Sequence, residues 1–67
     1  MKKLVLHTNS RIVDLPSDLA NALVKIRTFY DQGHRNMQLR VNCSKKSGLV
    51  ICRDWATFVA NAKLLVR

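Results

Sequence analysis

The segment Pro16 to Gly33, PSDLANALVKIRTFYDQG, constrains this chain more than any other. Leu19, Ala22, Leu23, Ile26, Phe29 and Tyr30 recur at helical spacing and form one apolar stripe. Asn21, Lys25, Thr28 and Gln32 fall on the opposite side. Ser17 is placed to accept backbone N–H groups as N-cap, Asp18 suits the positive helix end, and Gly33 can close the helix in a left-handed conformation. A helix with one apolar stripe must lay it on something, and 67 residues allow only one domain.

The flanking segments supply a sheet. KLVLHTNSRIVDL reads as two short strands around a turn at Asn9 and Ser10. Leu6 then faces Val13 and Leu4 faces Leu15, with Lys3, Val5, His7, Ile12 and Asp14 on the other side. In MQLRVNC, Met37, Leu39, Val41 and Cys43 alternate with Gln38, Arg40 and Asn42. LVIC returns after Gly48, across a loop from Ser44 to Gly48 that carries Lys45 and Lys46. RDWATFVANAKLLVR forms a second helix, capped by Asp54, whose stripe is Trp55, Phe58, Val59, Ala62, Leu65 and Val66. LANAL and VANAK echo each other inside the two helices.

The predicted architecture is a single α+β domain over residues 1–67. Two layers are expected: a four-stranded antiparallel sheet of two hairpins, with two helices on one face, in the order ββαββα. If the first hairpin did not form, the order would become βαββα with the same layers.

The two cysteines invite a redox or metal reading, and strand geometry opposes both. With an odd loop, Leu49 and Ile51 join Cys43 on the core face and Cys52 points away. With an even loop, Val50 and Cys52 share the face of Cys43, but Cys52 then lies opposite Val41 or Leu39, about 7 Å or more from Cys43. His34, Cys43 and Cys52 are nine residues apart in turn, without the close ligand pair that structural zinc sites use. Buried thiols and no bound metal or other cofactor are the expectation. No nucleophile motif, phosphate-cradling loop or carboxylate pair is present, so an enzyme is not expected. The three apolar residues after Lys2 and Lys3 are too few for a signal peptide or membrane span, which with two cysteines implies a reducing, cytoplasmic setting.

Charge carries the functional expectation. Twelve Lys and Arg face four Asp and no Glu, a net charge of +8, while 48% of residues are apolar. This is a folding sequence with a bias toward polyanionic or acidic partners. Lys3, Arg11, Gln38, Arg40, Asn42, Lys45, Lys46 and Arg53 are the candidate contacts, on the outer sheet face and second hairpin. Arg40, Gln38 and Asn42 alternate on one strand face and are side-chain types able to reach base edges, should a β-ribbon enter a groove.

The aromatic residues Phe29, Tyr30, Trp55 and Phe58 belong to helix stripes, so no strand offers a stacking platform for single strands. Asp18 and Asp54 occupy the helix N-termini and make them poor anion sites. Duplex DNA held through its phosphates is the leading expectation. The alternative is a small accessory or inhibitor protein, of the kind common in phages and plasmids, docking on an acidic protein surface. The outward Val5 and Ile12, and Leu64 off the helix stripe, suit a protein partner or a second copy of the chain. Neither helix has the basic polar face of a membrane-surface helix.

Overall fold

The computed structural model describes residues 2–34, 36–43 and 47–66. It has the expected order: β1 (Lys2–His7), β2 (Ile12–Leu15), α1 (Leu19–Asp31), β3 (Met37–Cys43), β4 (Ser47–Cys52) and α2 (Trp55–Val66). All strand pairs are antiparallel, in the spatial order β2-β1-β3-β4. The first hairpin has the register that alternation predicts, with Leu4 opposite Leu15 and Leu6 opposite Val13. Its turn at Asn9 and Ser10 closes through the Thr8 N–H donating to the Arg11 carbonyl at 2.9 Å. The Thr8 hydroxyl oxygen also accepts from the backbone N–H groups of Ser10 and Arg11. That side chain supplies the polar partners a tight turn needs, without the positive φ of an Asn-Gly turn.

The second hairpin resolves the parity question. Asn42 pairs with Ser47, Leu39 with Val50 and Met37 with Cys52. The loop is even, so Val50 and Cys52 enter the core while Leu49 and Ile51 face outward. Ser47 and Gly48, expected in the loop, are strand residues. Cys52 lies opposite Met37, not Val41 or Leu39, six positions along β3 from Cys43. At about 3.3 Å per residue that is about 20 Å, far beyond disulfide range. Cys52 is a buried thiol; the side chain of Cys43 lies outside the described residues.

Between sheet and helices, Leu4, Leu6, Leu39, Val41, Met37, Val50 and Cys52 meet Ala22, Ile26 and Phe29 of α1 and Phe58, Ala62 and Val66 of α2. Each buried helix residue belongs to its predicted stripe, and Leu19, Leu23, Tyr30, Trp55, Val59 and Leu65 are half-buried beside them. Gly48 permits a close approach of α2 to β4: a Cβ there would lie 2.5 Å from Leu65 Cδ1. The two ββα halves correspond, but not through the LANAL echo. The helix caps Asp18 and Asp54 are 36 positions apart, whereas LANAL and VANAK are 40 apart, one helical turn out of phase. At the structural spacing, Ala22 matches Phe58 and Ile26 matches Ala62, all buried.

The caps refine the predicted boundaries. Asp18, not Ser17, is the N-cap of α1, its carboxylate accepting the Asn21 N–H at 3.3 Å. The cap falls one residue later because Leu19 is the first helical position. At the other end, the His34 N–H donates to the Phe29 carbonyl and the Gly33 N–H to that of Tyr30, with Gly33 at φ 100°. This is a Schellman closure, and the His34 ring sits edge-on to Phe29 across it. Gly33→Ala should cost about 1–2 kcal/mol, because an L side chain is strained at that φ; urea unfolding measures it, with an unchanged slope.

At α2, the Asp54 carboxylate accepts the Thr57 N–H. The Thr57 side-chain hydrogen bond, followed by that backbone bond, holds the Asp54 pKa below the ordinary 3.8. A carboxyl lowered on folding adds stability above its unfolded pKa and loses it as pH falls through the lower folded value. Asp54→Asn keeps a cap but does not titrate, so it should flatten the acid-side fall in thermal midpoint between about pH 5 and pH 2.

Candidate nucleic-acid interface

The helices cover one face of the sheet and leave the other open. Three cross-strand rows line the open face. Ile12, His7, Gln38 and Ile51 form one; Asp14, Val5, Arg40 and Leu49 form the next; Lys3, Asn42 and Ser47 form the third. Four of the sequence-predicted contacts, Lys3, Gln38, Arg40 and Asn42, therefore share one surface. They come from β1 and β3, the central strands, 35 or more residues apart in the chain.

Lys3 lies directly opposite Asn42 and diagonal to Arg40, which places the two cations about 7–8 Å apart at Cα. Both are exposed, and neither forms an ion pair among the described residues. Asp14, the carboxylate on this face, is two strands from Arg40 across Val5, about 10 Å away at the usual strand spacing. Lys3, Arg40, Asn42, Ser47, Val5, His7 and Leu49 line a shallow depression of about 560 Å³. Two close, unpaired cations beside amide side chains can hold an anionic backbone and offer hydrogen bonds to it.

The chain leaves β3 after Cys43 and re-enters at Ser47, in the same row as Lys3 but on the far side of Asn42. Lys45 and Lys46 belong to that connection and lie outside the described residues, as do Arg35 and Arg67. Arg11 and Arg53 are separated from the group. The Arg11 guanidinium turns toward the helix layer and sits 5.3 Å from the centre of the Phe29 ring. Arg53 follows the far end of β4, at its outer edge, near Thr57 and Asn61 of α2. Arg27 is engaged as well, with Asp31 at 2.9 Å and over the rings of Tyr30 and Trp55. These stacked arginines stabilise the helix layer.

Leu49 and Ile51 lie on the open face, as the even-loop alternative requires; a run of four apolar residues in LVIC carries no polar contrast with which to choose between the two phases. The four aromatic residues stay on the helix side: Phe29 and Phe58 are buried, and the Tyr30 and Trp55 rings meet at a tilt, 5.4 Å apart, between the helices. Among the described residues, no three His, Cys, Asp or Glu side chains converge as metal ligands, and no helix is long and apolar enough to cross a membrane.

Comparison of the chain with family models, with curated proteins and with solved structures found no match.

Proposed function

We propose that this chain is a small, non-enzymatic, cytoplasmic nucleic-acid-binding module that holds duplex DNA through its phosphates with the open sheet face. The supporting observation is the register that joins Lys3, Arg40 and Asn42 on an uncovered surface, without a carboxylate beside them. Gln38 adds a hydrogen-bonding group on the same strand face, and Lys45 and Lys46 extend the cationic run in sequence. Backbone contacts dominate this reading, because the face carries no aromatic platform for unstacked bases.

The dimensions bound the footprint. The longest extent of the domain is 33 Å, about one turn of duplex at about 3.4 Å per base pair, so one copy covers at most about ten base pairs. Four phosphate-contacting cations, Lys3, Arg40, Lys45 and Lys46, imply a log–log salt slope of about −3.6. Affinity should then fall by about a hundredfold between 50 and 200 mM salt. Titration of a labelled duplex of about 20 base pairs at those two concentrations tests the reading. No affinity at the lower salt, or one indifferent to salt, would remove it.

A further inference from the structure

The two edges of the sheet differ in how they are guarded. β2 is four residues long, carries Asp14 and runs into Pro16, features that blunt an edge against pairing. β4 reads SGLVIC over six residues and has no charge and no proline. Among the described residues β4 pairs with β3 alone, so its other side is a sheet edge that presents alternate N–H and C=O groups.

The surroundings of that edge are apolar and concave. Leu49 and Ile51 are each 47% exposed beside it on the open face. On the helix side, Thr57 and Asn61 of α2 line a groove of about 350 Å³ with Leu49, Val50 and Ile51. Leu64 is one turn beyond Asn61 on the same side of α2 and is 58% exposed. Among the described residues, the charged side chain lining this groove is Arg53, and no carboxylate joins it.

We infer that the β4 edge is a strand-addition site for an extended, acidic segment of a partner protein. The partner's backbone would continue the sheet beyond β4. Its alternate side chains would lie on Leu49 and Ile51 on one face and toward Thr57, Asn61 and Leu64 on the other, with an acidic residue passing Arg53. Charge selects this occupant: the groove's charge is cationic, and a net charge of +8 opposes bringing a second copy of the chain to the same edge. The two surfaces adjoin at Leu49, which lies opposite Arg40, but the strand-addition site rests on the β4 edge and stands whether or not the Lys3 and Arg40 group binds DNA.

The test is an NMR titration of the isotopically labelled intact chain with a capped synthetic peptide. The peptide has six alternating valines and threonines with an aspartate pair at each end. A twin has lysine pairs instead, and a second twin has alternate backbone amides N-methylated. Binding should raise hydrogen-exchange protection at least tenfold at the alternate β4 amides that point away from β3, while those already bonded to β3 change little. The lysine twin should bind at least tenfold more weakly, and the methylated twin should not bind. Leu64→Asp, at an exposed position of α2 away from the open sheet face, should weaken binding of the acidic peptide at least tenfold while duplex binding persists.

Outward-pointing β4 amides left unprotected by the peptide, equal binding by the lysine twin, or shifts confined to Lys3, Arg40 and Asn42 would each overturn the inference. So would sedimentation showing a dimer whose outward-pointing β4 amides are protected before peptide is added, because a second copy would then hold the edge.

Discussion

A chain carrying Lys3→Glu and Arg40→Glu should lose at least tenfold in duplex affinity at 50 mM salt, and its salt slope should shrink by about 2. The magnitude follows from counting: each phosphate-bound cation contributes about 0.9 to the slope, and two are removed. Both side chains are exposed and outside the core, so the unfolding free energy should move by less than about 0.5 kcal/mol per site. Net charge falls from +8 to +4, which eases self-repulsion in the folded state. Arg11→Ala separates position from total charge. It removes a cation stacked on Phe29, on the helix side, and should leave the slope unchanged. An equal loss of slope from Arg11→Ala would show that bulk charge, not the open face, drives binding. Glu at both Lys45 and Lys46 tests the other half of the cationic run, with weaker binding and an intact fold expected.

Phe58→Ala should have the largest effect on stability, about 3–5 kcal/mol. Phe58 is 1% exposed and is the largest side chain fully buried between α2 and the sheet. Its ring also meets Trp55 at 5.6 Å, so truncation removes an aromatic contact as well as core volume. Domains of this size hold only about 0.05–0.15 kcal/mol per residue, so the loss would consume much of the total. Thermal unfolding by circular dichroism should show a midpoint lowered by about 15 °C or more, or no cooperative transition. Phe58→Leu, which keeps most of the volume, should recover a large part of the loss. A change of under 1 kcal/mol for Phe58→Ala would mean that α2 does not depend on this anchor.

The elements were legible because each has a strong local period. The helix stripes Leu19 to Tyr30 and Trp55 to Val66 became the buried faces of α1 and α2, and the Leu4–Leu15 and Leu6–Val13 pairs formed as alternation requires. Legibility failed where neighbouring residues were chemically alike. Ser17 and Asp18 can both cap, and the choice depends on where the backbone first turns helical after Pro16. LVIC is apolar on both sides, so only the length of the preceding loop could decide which pair faces the core. The second hairpin's lysines, Lys45 and Lys46, lie outside the described residues and remain a statement about sequence.

The candidate site divides in the same way. Arg40, Gln38 and Asn42 alternate on one strand, and their common face follows from the twofold repeat of an extended chain. Bringing Lys3 beside them required β1 to pair with β3 across 30 or more intervening residues, which no local pattern encodes. Arg11 and Arg53 left the group for a related reason: side-chain direction at a strand end depends on which helix lies over it.

By itself, then, the sequence determined the type and order of the elements, the faces of the two central strands and the cationic excess, all set by periods of two or 3.6 residues and by composition. The tertiary structure decided which cations meet, which apolar residues of β4 stay outside, and that β4 rather than β3 forms an unguarded edge. Strand order and loop parity are non-local: they depend on how the whole chain closes around one core, and the energy that selects them comes from burying both helix stripes on the same sheet face at once.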